Sequence, residues 1–190
     1  MHFLNQELSG NDMDISKIQI GTTPPWDINV IIEVPLGKEP VKYEMDKASG
    51  ALFVDRIMHT SMRYPCNYGF IPHTLSEDGD PIDVIVASNV AFISGSVVRS
   101  RPIGVLKMKD EKGFDEKILA VPIDALHPYY TSVKEYSDLP DILLEQISHF
   151  FTHYKDLEAD KWVKLDGWEN ANAAVKFIEE SINRAKTVKL

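Results

Sequence analysis

Asp138-Leu139-Pro140-Asp141 is where the chain changes its hydrophobic period, and the fold class turns on that change. The run reads as a helix start, with Asp138 as capping side chain and Pro140 in the first turn, where a missing amide donor costs nothing. Beyond it Leu143, Ile147, Phe150, Phe151, Tyr154 and Leu157 recur at helical spacing. Asn170 is placed to cap a second helix, with a stripe of Ala174, Phe177, Ile178, Ser181 and Ile182. Before the change, residues 27–34, 41–46, 51–57, 82–87, 97–109 and 117–121 read as strands. Lys47-Ala48-Ser49-Gly50 is the hairpin turn between the second and third runs, and residues 110–115 join the last two. Strands first and helices after indicate an α+β fold. Several short strands with two packing helices favour a small closed barrel over an open sandwich.

The chain has 190 residues, 44% hydrophobic and 26% charged, which suits one domain over residues 1–190 with a sizeable core. Residues 1–17 are polar and mixed and read as a loosely held N-terminal arm. A net charge of −9 argues against nucleic acid or an anionic membrane as partner. Cys66 is the one cysteine, so no internal disulfide forms, and between Tyr64-Pro65 and Tyr68 it reads as a packed small residue. The first residues lack a basic region followed by an apolar run and a cleavage site, and no segment approaches ~20 apolar residues. The expectation is a soluble cytoplasmic protein.

Chemistry concentrates in Asp78-Gly79-Asp80-Pro81-Ile82-Asp83-Val84. Gly79 can take a positive φ, and Pro81 fixes φ, so a tight turn can aim three carboxylates into one space. Crowded carboxylates repel unless cations sit between them, and hard oxygen ligands suit Mg²⁺ or Mn²⁺. A calcium EF-hand loop is excluded, because Asp83 stands where its glycine belongs and Asn89 where its final Glu belongs. Alone, such a run is more often a polar turn built from good turn formers than a metal site.

Other charged residues gain meaning together. Period 2 puts Lys42 and Glu44 on one strand face with Tyr43 on the other, and puts Arg56 on a face with Leu52 and Val54, where burial is expected. Glu33 is a lone acid near the end of an apolar strand. Asp110 and Asp115 bracket the Lys112-Gly113 turn, and Lys117 shares a strand face with Asp115. Tyr64 and Tyr68 precede the Asp turn, and Tyr154-Lys155 lies near the end of the first helix. Taken singly, each fits a charged strand end, a packed tyrosine or a solvated hairpin tip. Jointly, acids for metal ions and Lys, Arg and Tyr groups for a dense anion are what phosphoryl displacement needs. Two metals roughly 3.5–4 Å apart can clamp the attacking and leaving oxygens, while Lys and Arg neutralise the leaving phosphate. No covalent nucleophile is indicated, so direct attack by metal-bound water is the economical scheme.

These motifs resemble those of the bacterial family I soluble inorganic pyrophosphatases. The resemblance rests on the Asp turn with Val41-Lys42-Tyr43-Glu44, Gly50-Ala51-Leu52-Phe53-Val54-Asp55-Arg56, Tyr64-Pro65-Cys66-Asn67-Tyr68-Gly69 and Tyr154-Lys155-Asp156, and it spans residues 27–185. It implies a five-stranded OB-like barrel with helices. The implied reaction is hydrolysis of pyrophosphate to two orthophosphates by in-line attack of a metal-bound hydroxide, with three to four Mg²⁺ ions and Mn²⁺ or Zn²⁺ as substitutes. By position, Asp78, Asp83 and Asp115 resemble ligands of the activating metals, and Asp110, Asp115 and Glu33 those of metals arriving with substrate. Asp80 resembles the general base. Lys42, Arg56, Tyr68, Lys117, Tyr154 and Lys155 resemble the phosphate-binding groups, with Glu44 and Tyr64 behind them. The chain departs from the pattern in its longer N-terminal arm and at Ala87-Ser88-Asn89-Val90.

His149 and His153 stand four apart on the first helix, but Phe150 occupies the position of a zincin's Glu. His153 can reach Asp156. Since relatives are homohexamers that use this helix at a subunit contact, the resemblance makes His149, His153 and Asp156 candidate interface residues.

Overall fold

Runs such as Val84-Ile85-Val86 and Ile118-Leu119-Ala120-Val121 are apolar at every position, so they make good strands only where both faces are covered. The computed structural model describes residues 13–188, and in it these runs lie at the buried centre of a sheet. The elements in chain order are β1 (Ile28–Val34), β2 (Val41–Met45), β3 (Leu52–Ile57), β4 (Asn67–Phe70), β5 (Asp83–Val86), β6 (Val97–Asp110), β7 (Gly113–Phe114), β8 (Lys117–Pro122), α1 (Asp141–His153), β9 (Val163–Asn170) and α2 (Ala171–Val188). The fold is α+β, as expected.

Strand β1 pairs with β4, β4 with β5, β5 with β8, β8 with β6, and β6 again with β1, so five strands form a ring. Only β5–β8 is parallel. Strand β6 reaches this far because it changes partner. Residues 97–100 pair with β1, and a register shift between Pro102 and Gly104 precedes the stretch that pairs with β9. A bulge at a proline and a glycine bends a strand in this way. The β2–β3 hairpin is a separate two-stranded sheet outside the ring.

Period 2 divides the apolar residues of these strands between two cores. Ile85, Leu106 and Leu119 join Ile147, Phe150 and Phe151 of α1. Val84, Val86, Val105, Ile118 and Ala120 join Ala174, Ile178 and Ile182 of α2. Each fully buried Leu, Ile or Phe contributes ~1.5–3 kcal/mol. The second helical stripe thus lies against the sheet, and Asn170 caps α2, its Oδ1 accepting the Ala173 amide at 3.0 Å. Cys66 is buried, and burial pushes its thiol up to about 12, in keeping with a packing role. Among the described residues no helix is long and apolar enough to cross a membrane.

Four expectations are corrected. Asp138 does not cap α1. Its Oδ2 accepts the amides of Lys134 and Glu135, closing a short 3₁₀ turn at residues 136–138, and Pro140 stands at the cap of α1 itself. Leu157 leaves the apolar stripe, being 67% exposed, because α1 ends at His153 and the chain turns away. Three strands lie outside the expected runs: the two-residue β7 within the 110–115 connection, and β4 and β9. Strand β4 has only four residues, all buried, and β9 mixes charges with Gly167 at φ +108°, so neither alternates cleanly. The arm is not loose throughout. Residues 1–12 lie outside the described residues, but Ile15 is buried in a small cluster with Ile31, Met45 and Phe70.

Candidate active site

The ends of several strands, the β2–β3 hairpin and the turns after α1 border one cleft of about 210 Å³. Every side chain given a metal-binding, phosphate-binding, general-base or supporting role from the sequence lines it: Asp78, Asp80 and Asp83; Asp110 and Asp115; Glu33, Glu44, Lys42 and Arg56; Tyr64, Tyr68 and Lys117; Tyr154 and Lys155. Residues from 33 to 161 converge there.

The Asp turn folds as its composition dictates. Gly79 has φ +94°, Asp78 Oδ1 accepts the Asp80 amide at 3.1 Å, and the Ser76 amide donates to the Asp80 carbonyl at 2.7 Å. Asp78 and Asp80 are exposed at the mouth, while Asp83, the first residue of β5, is half-buried. The parallel register Asp83↔Lys117 brings the Lys117 ammonium onto Asp83 and, at 2.5 Å, onto Asp115 Oδ1. Burial works against the Lys117 charge, but the two carboxylates outweigh it and hold the ammonium well above its ordinary range. At Asp115 burial and the charges of Asp83 and Asp110 outweigh Lys117 and push the carboxyl up. Lys155 reaches Asp110 Oδ2 at 2.8 Å; burial opposes ionisation of Asp110, but this bond and the Lys112 amide hold its carboxyl low.

Glu33, on β1, is 4% exposed, and its Oε1 accepts the Met45 amide at 2.8 Å. Burial dominates and, with the charge of Asp83, pushes the carboxyl up to about 7 against that hydrogen bond and the nearby lysines 47 and 42. Tyr64, Tyr68 and Tyr154 form one wall with Phe150 and Phe151, and burial raises all three phenols, so they stay protonated donors.

The hairpin wall holds a correction. Register runs Lys42↔Arg56 and then Tyr43↔Val54, which leaves Asp55 as an extra residue on β3. That bulge shifts the alternation, so Arg56 sides with Lys42 and not with Leu52 and Val54, which are exposed. It also turns Asp55 into the cleft, where it stands 3.3 Å from Lys42 and 3.8 Å from Arg56. Asp55, Glu111, Lys47 and Lys161 line the cleft without having been assigned a role. Glu111, on the β6–β7 tip, is ion-paired with Lys155 at 3.6 Å and Lys161 at 2.5 Å.

Nine carboxylates and seven cationic groups face this space, which suits an anion together with divalent cations. Among the described residues no three His, Cys, Asp or Glu side chains converge tightly enough to ligate one ion as they stand. Lys117 and Lys155 lie between the acids, and lysine side chains are long enough to move aside. The donors fit hard divalent cations: they are oxygen ligands throughout, with no Cys or His among them.

Comparison with known proteins agrees with this geometry. Residues 30–186 match the family profile described as inorganic pyrophosphatase. The chain is 58% identical to the inorganic pyrophosphatase of Caulobacter vibrioides over 172 residues, 90% of this chain and 97% of that one. It is 56% identical to that of Escherichia coli over 174 residues, covering 92% and 99%. The solved inorganic pyrophosphatase of Helicobacter pylori superposes with a TM-score of 0.86 at 47% identity, covering 90% of this chain and 99% of its own. The chain therefore belongs to the inorganic pyrophosphatase family of enzymes.

Proposed function

We propose that this protein hydrolyses pyrophosphate to two orthophosphates in a Mg²⁺-dependent reaction without a covalent intermediate, and that its strand ring is a closed, five-stranded OB-like barrel within a single domain. The observation that carries this reading is the convergence of acids from β1, the Asp turn, β5 and the β6–β7 tip on one cleft with Lys42, Arg56, Lys117 and Lys155. Asp78, Asp83 and Asp115 would hold activating ions, and Asp110, Asp115 and Glu33 ions that enter with substrate. Bound divalent cations supply acidified water and neutralise phosphate oxygens.

The chain's own groups do the rest. Asp80, exposed at the mouth on a turn that Gly79 permits and Pro81 stiffens, accepts the proton of the attacking water. Attack is in line with the bridging oxygen, and the leaving phosphate is met by Arg56 and Lys155, whose charge matters most as the bridge breaks. Lys42 and Lys117 hold further phosphate oxygens, and Tyr68 and Tyr154 donate hydroxyl hydrogens from the aromatic wall. Glu44 and Tyr64 orient these groups, Glu44 standing 3.5 Å from Lys42. Pyrophosphate is the substrate, nucleic acid and membrane are not partners, and a cytoplasmic location fits the acidic chain and its free, buried Cys66.

Orthophosphate release from pyrophosphate, followed with Mg²⁺ and with chelator, tests the reading. Fast release that stops in chelator is the expected result. Asp80→Asn is expected to slow turnover about 10²–10⁴-fold with folding intact. Near-parental turnover in that variant would remove Asp80 from its role, and no release by folded, Mg²⁺-loaded parent would overturn the substrate assignment.

A further inference from the structure

Glu158 is a charged residue that the proposed reaction does not use. It lies in the succession of turns after α1, its amide donating to the Lys155 carbonyl at 2.8 Å, and its side chain is only 12% exposed. Glu158 Oε1 stands 3.4 Å from Arg56 Nε. Both atoms are buried, and among the described residues neither has a hydrogen-bond partner. A buried carboxylate that faces a single guanidinium is costly to leave unpaired, which sets this contact apart from an exposed ion pair.

We propose that Glu158 is a positioning residue for Arg56. Its ionic contact is with Nε, so Glu158 does not engage the two terminal nitrogens, of which Nη1 lies 3.8 Å from Asp55. This rests on the reading of Arg56 as a phosphate-binding group. The need for such a hold follows from where Arg56 sits. Strand β3 belongs to the outlying hairpin, and Leu52, Phe53, Val54 and Ile57 on it are all exposed, so packing does little to fix the side chain. Arginine is long and has much rotamer freedom, but its planar fork is oriented once one edge is engaged. The same turn touches the hairpin's base a second time, the Leu157 carbonyl lying 3.4 Å from His59 Nδ1. It also carries Lys155 and Lys161, which pair with the β6–β7 tip on the other side. Glu158 thus links the outlying hairpin to the rest of the cleft wall.

The test is Mg²⁺-dependent pyrophosphate hydrolysis by Glu158→Gln, Glu158→Asp, Arg56→Ala and the Arg56→Ala/Glu158→Gln double variant, with melting temperatures for each. Glu158→Gln is expected to lose about tenfold in kcat/KM with its Mg²⁺ activation midpoint unchanged, and Glu158→Asp to recover part of that loss. The double variant should be no slower than Arg56→Ala alone, because nothing remains to be positioned. If Glu158→Gln costs the same factor with or without Arg56, or nothing at all while Arg56→Ala is impaired, positioning is overturned and the phosphate-binding reading of Arg56 stands. Parental activity in Arg56→Ala overturns both.

Discussion

Glu33 is a carboxyl held where water hardly reaches, and its consequence is a dependence of stability on pH. In the unfolded chain it titrates near 4.5, whereas in the fold burial holds its proton to about 7. Between those values the folded state binds more protons than the unfolded one, so stability falls as pH rises, by up to ~3 kcal/mol at ~1.4 kcal/mol per unit. Below 4.5 that stability is fully present. Glu33→Gln keeps an acceptor for the Met45 amide and has no proton to lose. In chelator, its urea-unfolding free energy is therefore expected to fall less than the parent's between pH 4.5 and pH 7. Parallel pH dependences would mean that Glu33 ionises in the fold at its ordinary value. A lone acid in Val30-Ile31-Ile32-Glu33-Val34 was visible in the sequence as unusual, because an apolar strand leaves a charge no water. Asp55 was not, because strict alternation puts neighbours on opposite faces and only the bulge, a feature of pairing, puts Asp55 and Arg56 in the same cleft.

Between elements, close approach decides. Gly69 of β4 lies against β1, and a Cβ there would stand 1.9 Å from the Ile31 carbonyl oxygen, a backbone atom that cannot turn aside. Gly69→Ala is expected to destabilise by ~3 kcal/mol or more, lowering the melting temperature by about 10 °C. A variant melting within a degree of the parent would show that the β1–β4 pair yields freely. The long elements were legible because their periods are regular: β1, β2, β3, β5, β6 and β8 fall within a residue or two of their expected ranges, and α2 starts directly after the expected cap Asn170. Strand β4 was hidden by shortness and by burial of all four residues. Strand β9 was hidden because its pairing with β6 includes a register shift opposite Lys107 and Met108 and a left-handed glycine. Asp138 was assigned to the wrong turn because a capping carboxylate looks the same in sequence whichever of two adjacent helical starts it serves.

For the molecule as a whole, the site was more legible than the topology. Turn formers and charged residues at fixed spacing survive in the sequence, whereas which strand pairs with which depends on contacts between distant segments. The assembly is proposed to be a homo-oligomer, by resemblance a hexamer, with α1 at a subunit contact. The rings of His149 and His153 lie 4.7 Å apart, tilted by 52°, on an exposed helix face, and His153 Nδ1 lies 2.7 Å from Asp156 Oδ2. His153→Ala is expected to weaken assembly, seen as smaller species in analytical ultracentrifugation at low protein concentration; an unchanged hexamer would count against that contact. The ring has a bearing on time as well as on shape. Its closure brings β1 against β6, where Asp27 and Arg99, 72 residues apart in the chain, are joined at 2.5 Å. Contacts so distant in sequence bear a large loop-closure entropy and form slowly. Because the cleft draws on residues on both sides of that closure, activity on refolding is expected to return no earlier than the β1–β6 pairing.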